Sequence, residues 1–281
     1  MRNRSTLIIT ALCFGFAFLY VPIVILVAFS FNDSSLATVW GGFSTRWYAE
    51  LLQNDQIIES ALLSLRIAAV SATFATILGT LAGLALARMG RYKGRVLFTG
   101  LIAAPLVMPE VITGLSLLML FVSLEQVIGW PSARGANTIT LAHITFSMAY
   151  VAIIVQSRLT NMDQSMEEAA MDLGANPFQV ARDITLPIIA PSMVSGWLLA
   201  FTLSLDDLVI ASFTSGAGSS TLPMLIFSKI KLGVTPDINA LATLIIGVVS
   251  LGIVIAYWLM LRSEGALRKS AQKEKIIKGL D

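Results

Sequence analysis

The chain has 281 residues, 56% of them hydrophobic and only 13% charged, where a soluble domain carries about 25% charged residues. That composition excludes intrinsic disorder and disfavours a water-soluble fold, and a net charge of +2 with no basic face sets nucleic-acid binding aside. A single cysteine, Cys13, and a single histidine, His143, exclude a disulfide framework and a Cys/His zinc cluster; both lie in apolar stretches, where core packing is the simplest reading.

Six stretches are long and apolar enough to cross a bilayer as helices, each covering the roughly 30 Å of hydrocarbon at about 1.5 Å per residue. The first, 7–31, follows Arg2 and Arg4 and contains Pro22. It is too long for a signal-peptide core of about 7–15 residues, and Ala28-Phe29-Ser30 is a poor cleavage site, so it reads as an uncleaved span. The second, 61–87, runs into a basic turn with Arg88, Arg91, Lys93 and Arg95. The third, 96–122, carries Pro105 and Pro109, which with Pro22 are expected kinks, because proline removes an intrahelical hydrogen bond and crowds the preceding turn. The fourth is 138–157, and a loop over 158–187 leads to the fifth, 188–213. The segment 214–238 holds Gly216, Gly218 and a Ser/Thr cluster before Leu222-Pro223-Met224-Leu225-Ile226-Phe227, and is expected to form a short helix at the outer surface. The sixth span, 239–261, precedes a tail with Arg262, Arg268, Lys269, Lys273, Lys275 and Lys278.

Positive flanks stay in the cytoplasm, which puts both termini and the 88–95 turn inside. The outer loops then hold only Arg46, Arg134, Lys229 and Lys231. The 158–187 loop must also be cytoplasmic, yet it sets only Arg158 and Arg182 against Asp163, Glu167, Glu168, Asp172 and Asp183. Something other than charge must hold it there.

That loop reads as two short helices. Ser165 with Glu168 fits a capping box, and Gly174 suits the left-handed residue that ends a helix. Asn176 and Pro177 restart one, and Pro187 and Pro191 mark a second break. Met162, Met166, Ala169, Ala170 and Leu173 recur at helical spacing as an apolar stripe, which must be buried either on this chain's own helix ends or in a partner's groove.

The run Glu168-Ala169-Ala170, Gly174, Ile184 and Leu186-Pro187 resembles the EAA motif of permease subunits in binding-protein-dependent ABC importers, matching at each defined position. The similarity extends over the whole chain, including Met108-Pro109-Glu110 and Leu205-Asp206-Asp207, which resemble the spermidine and putrescine importers. The resemblance implies an all-α polytopic protein of the bacterial inner membrane, with the type I ABC importer permease fold as one transmembrane domain. It implies that Glu168, Ala169, Ala170, Gly174, Ile184, Leu186 and Pro187 couple the chain to an ATPase, with Glu168 engaging it and Gly174 as the joint. Implied partners are two copies of that ATPase, a second homologous permease and a periplasmic polyamine-binding protein. ATP and Mg would be bound by the ATPase and no cofactor by this chain; in agreement, the sequence has no G-x-x-x-x-G-K-[ST] loop to cradle a phosphate.

Ionisable residues within the apolar runs are the remaining signal: Glu110, Asp206, Asp207 and Arg66, each costing roughly 2.5–3.5 kcal/mol or more at a bilayer centre. Counting along the helices puts Glu110 about 21 Å and Asp206 about 28 Å from the cytoplasmic ends of their spans, in the half a solute from outside reaches first. A diamine needs two separated anionic or π-rich subsites with an apolar middle, so Trp197, Tyr150, Phe201 and Phe213 are candidate rings. Asp206 and Asp207 lie about 100° apart on a helix. One is expected to face the path and the other to hold a neighbouring helix, through Arg66; periodicity does not say which. The Asp207 side continues through Gly196, Ala200, Ser204 and Ala211, a small-residue seam suited to close packing.

The sequence therefore points to a six-span importer permease for a polyamine, putrescine first, working by alternating access with no covalent chemistry of its own. Competing readings are another cargo such as spermidine, an amino acid or a sugar, an ion-coupled carrier using the buried acids, and an intramembrane enzyme, for which a second acidic motif or His cluster is missing.

Overall fold

The computed structural model describes residues 2–36, 39–233, 236–251 and 254. Among them the secondary structure is helical apart from one isolated bridge between Asn32 and Phe43. The tail cations from Arg262 onward and the second half of the expected sixth span lie outside the described residues. The chain divides into two compact units, Met1–Asn54 with Lys229–Asp281, and Asp55–Ser228.

In the first unit, α1 (Arg2–Phe29) runs unbroken with Pro22 inside it, and its apolar side chains, Phe14 and Phe18 among them, are exposed. A helix apolar on all sides suits lipid or a protein partner within the membrane. The following loop is tightly built. Asn32 is wholly buried, donates from its amide to the Val39 carbonyl at 2.7 Å and accepts from the Gly41 N–H at 2.8 Å. Trp47 of α2 (Arg46–Leu52) donates in turn to the Asn32 carbonyl at 2.7 Å. The sixth span appears as α12 (Pro236–Leu251).

The second unit is built on α3 (Asp55–Arg88), α6 (Ala136–Thr160) and α9 (Leu186–Asp206). Lipid tails give apolar helices no reason to associate, so close van der Waals approach must hold them. Small residues supply it: Ala68, Ala72, Ala75, Ala149, Ala152 and Ala200 are wholly buried. A Cβ on Gly79 would lie 2.7 Å from Val151 Cβ, and one on Gly83 would lie 2.9 Å from the Ala152 carbonyl. The expected seam of Gly196, Ala200, Ser204, Asp207 and Ala211 is buried throughout.

Two expected spans differ from continuous helices. The third is a pair, α4 (Arg95–Val107) and α5 (Glu110–Ile128), with Pro109 at a break rather than a kink. Met108 is extended, at φ −74° and ψ 136°, because the residue before proline is driven out of the helical region. The fifth ends at Asp206; Asp207 is extended, at φ −67° and ψ 125°, and α10 (Val209–Thr214) follows. Conversely, the break expected at Pro187 and Pro191 is absent. The chain stays helical from Pro177 to Asp206, through a wide turn over Ala181–Thr185 in which Leu186 donates to the Ala181 carbonyl, five residues back. A widened turn is one way a helix admits a proline whose ring would otherwise clash with the carbonyl before it. The short helix expected within 214–238 is α11 (Leu222–Leu232), started by the Leu222 N–H donating to Ser64 Oγ at 2.7 Å.

Candidate functional site

The 158–187 loop carries α7 (Ser165–Asp172) and α8 (Pro177–Val180). The Ser165–Glu168 capping box does not form. Gln164 already has helical backbone angles, so Ser165 sits one position too late to cap, and Asp163 Oδ1 accepts the Ser165 N–H at 3.0 Å instead. Hydrogen bonds from the Ser165 backbone and hydroxyl hold the Asp163 carboxyl below its usual range. At the other end, Gly174 adopts φ +92°, its N–H donates to the Met171 carbonyl at 2.9 Å, and the Ala175 N–H donates to the Ala170 carbonyl at 3.0 Å. This pair of bonds is the Schellman ending, which needs a residue free to be left-handed. Asn176 then caps α8: its Oδ1 accepts from the Gln179 N–H and its own N–H donates to Gln179 Oε1, both at 2.9 Å.

The two glutamates at the start of α7 have different surroundings. Glu167 turns inward. Its Oε2 lies 2.9 Å from Arg88 Nε at the end of α3, and its Oε1 accepts from the Thr185 hydroxyl at 2.6 Å. Arg88 also donates to the Leu159 carbonyl at 3.1 Å. This ion pair joins α3, α6, α7 and the wide turn. Glu168, Ala169 and Gly174 are exposed. The expected stripe is split: Met162 joins the core with Val155 and Leu159, whereas Met166 is 43% and Leu173 90% exposed. Phe178, 73% exposed, extends the bare apolar face. Ile184 of the wide turn and Leu186 at the start of α9 pack against the core and Pro187 is exposed, so the motif is half anchor and half open surface.

The membrane acids gather at the two breaks. Gly114 of α5 abuts Ile210 and Phe213 of α10, where a Cβ would come within 2.7 Å of the Phe213 ring. Glu110 lies one turn before Gly114 in α5, and Asp206-Asp207 come just before α10, so each break adjoins an end of the α5–α10 contact. Glu110 lies in the first turn of α5 and is exposed, where the aligned peptide dipoles favour a negative charge.

The structure separates the two aspartates. Asp206 is exposed and Asp207 buried. Asp207 accepts from the Ile210 and Ala211 N–H groups at 3.2 and 2.7 Å and lies 3.1 Å from His143 Nε2. Its partner is His143 and not Arg66. Ile67 and Ser71 face the core of α3, which leaves Arg66 about 100° away, exposed and without an ion pair among the described residues. His143, expected to be inert packing, is wholly buried and hydrogen-bonded at both ring nitrogens, with Nδ1 2.6 Å from Ser204 Oγ.

The aromatic candidates divide as well. Phe213 lies in α10 against Gly114 of α5, one turn or more beyond each break. Trp197 donates to Thr73 Oγ1 at 3.1 Å and stacks on Phe201 at 5.2 Å between centroids; nine residues before Asp206, it sits about 13 Å toward the cytoplasm. Tyr150 meets Phe146 edge to face at 5.5 Å. Both are engaged in packing.

Residues 75–269 match the family of binding-protein-dependent transport system inner membrane components. The chain belongs to that family. It is 58% identical over 272 residues, 97% of either chain, to the putrescine transport system permease protein PotI of Escherichia coli K12. To the spermidine/putrescine transport system permease protein PotC of the same strain it is 42% identical, over 89% of this chain and 91% of the relative. In fold it is similar to a chain of a bacterial ABC transporter that imports alginate, with a TM-score of 0.70 at 17% identity, over 92% of this chain and 97% of that one. It is a multi-pass permease subunit of the inner membrane and not an enzyme.

Proposed function

We propose that this chain carries a polyamine, putrescine first, through an ATP-driven importer by alternating access. The observation that carries the cargo is the 58% identity, over nearly the whole chain, to a permease named for putrescine. In this reading two copies of a separate ATPase bind ATP and Mg and close on them. Glu168, Ala169, Ala170 and Gly174 form the docking element, and Ile184, Leu186 and Pro187 join it to the core. A second homologous permease completes the pore and a periplasmic polyamine-binding protein delivers the cargo. The exposed carboxylates Glu110 and Asp206 would meet the two ammonium groups of a diamine, with Phe213 offering a ring face to one of them. Asp207, Trp197 and Tyr150 serve as scaffold in this scheme.

The test is to purify the chain with its partners from the native membrane, reconstitute the complex in vesicles and measure uptake of labelled putrescine against competing spermidine and amino acids. ATP-dependent putrescine uptake, lost in Gly174→Asp while the protein still inserts, is the expected result. Uptake by the chain without an ATPase points instead to an ion-coupled carrier, and preference for an amino acid reassigns the cargo.

A further inference from the structure

His143 has no part in the scheme above, yet it is the centre of a buried polar cluster that joins α3, α6 and α9. The Ser71 hydroxyl donates to Ser204 Oγ at 3.0 Å, Ser204 Oγ is 2.6 Å from His143 Nδ1, and His143 Nε2 is 3.1 Å from Asp207 Oδ2. Asp207 also accepts two backbone N–H groups of α10. As a carboxylate it can only accept, so Nε2 carries the hydrogen, and a neutral ring then takes the Ser204 hydroxyl proton at Nδ1. Every donor in this chain of bonds finds an acceptor, and the bonds run in one direction from α3 through α9 and α6 to the elbow between α9 and α10. Hydrogen bonds to a buried ionised carboxylate are the strong kind.

Fixing the Asp207 carboxylate fixes the backbone at the elbow. Asp206 is the last residue of α9 and its side chain leaves the helix about 100° from that of Asp207, so it is turned to the open side because its neighbour is held inside. We infer that His143 is a positioning residue for transport: by holding Asp207 it keeps Asp206 aimed into the substrate path. This rests on the reading of Asp206 as an ammonium subsite.

The experiment uses the reconstituted complex with its binding protein and measures ATP hydrolysed per putrescine imported. A purely structural role would lower hydrolysis and uptake together and leave their ratio unchanged. Misaiming Asp206 lets the delivered cargo escape while the ATPase still cycles, so the ratio rises. His143→Leu is expected to raise it about tenfold, the factor that one charge-assisted hydrogen bond represents. His143→Gln, whose amide can still donate to Asp207, is expected to stay within about threefold of the original. Ser204→Ala, a smaller disturbance should His143→Leu fail to insert, is expected to raise the ratio a few-fold. In an Asp206→Asn background, itself raised, His143→Leu is expected to add nothing, since both act through one carboxylate. If Asp206→Asn raises the ratio while the His143 and Ser204 variants lose uptake and hydrolysis in step, the positioning role is wrong and the subsite stands. If Asp206→Asn leaves the ratio unchanged, the subsite reading is wrong and the role given to His143 goes with it.

Discussion

Glu167 and Glu168 are adjacent acids whose surroundings give them opposite consequences. The Arg88–Glu167 pair retains only 21% and 13% side-chain exposure, so removing one member strands the other in a poorly solvated place. Glu167→Gln is expected to destabilise the protein by about 1–3 kcal/mol, below the fully buried figure because water still reaches the pair; a thermal melt in detergent reads it. Glu168→Lys is expected to leave that melt unchanged and to abolish uptake, and a lowered melting temperature there would contradict the placement of its side chain in solvent. Only part of this was legible beforehand. The motif singles out Glu168, but Glu167 pairs with an arginine 79 positions earlier, and no local pattern announces such a partner. Likewise the helical period separates Asp206 from Asp207 and places Ser204 beside the latter. It does not reveal which aspartate is buried, because the deciding group, His143, lies 64 residues away. A lone ionisable side chain in an apolar run was the available signal, since such residues in spans are costly unless engaged.

At the level of the helix, the spans themselves follow from apolar length, and their interruptions do not. Pro109 opens a break and Pro187 does not, although each removes the same backbone donor. Asp207, which is not a proline, ends α9 because its carboxylate offers the α10 N–H groups a better partner than a continued turn would. Contacts formed across helices decide such cases, and hydropathy has no access to them. The packing of α3 on α6 does follow from small residues, and it yields a clean comparison. Gly79→Val would press a side chain into Val151 and the Met148 carbonyl, and backbone cannot yield as a flexible side chain can. A loss of about 1–3 kcal/mol is expected, as for other overpacked cores, read as a lower melting temperature of the detergent-solubilised protein. Gly100→Ala, with nothing within 4 Å of the added carbon, should melt as the original or slightly above it, since alanine favours the helix.

Across the Asp55–Ser228 unit, one rigid rod joins the two functional regions. α6 begins beside the end of α10, where the Thr138 hydroxyl donates to the Thr214 carbonyl at 2.7 Å, meets the elbow at His143, and ends where Arg88 holds the Leu159 carbonyl. From His143 to Leu159 is about 24 Å of continuous helix, so under the proposed scheme a push on the loop would reach the acids without an intervening break. In the proposed scheme the bare face of the loop is what receives the push from the ATPase. Leu173 and Phe178 are 90% and 73% exposed in a loop outside the apolar spans, which the Arg88–Glu167 pair ties to the basic 88–95 turn. Large apolar side chains left in water beside a helix end built with full capping suit a surface whose cover is another protein. Replacing Leu173 by Asp removes an anchor without touching this chain's own core, so the variant should insert and melt normally. The ATPase should then be lost from the complex on affinity purification in mild detergent, and putrescine uptake with it. Retention of the ATPase at the original ratio would mean that the docking face lies elsewhere on the loop, and that the exposed leucine is not what the partner grips.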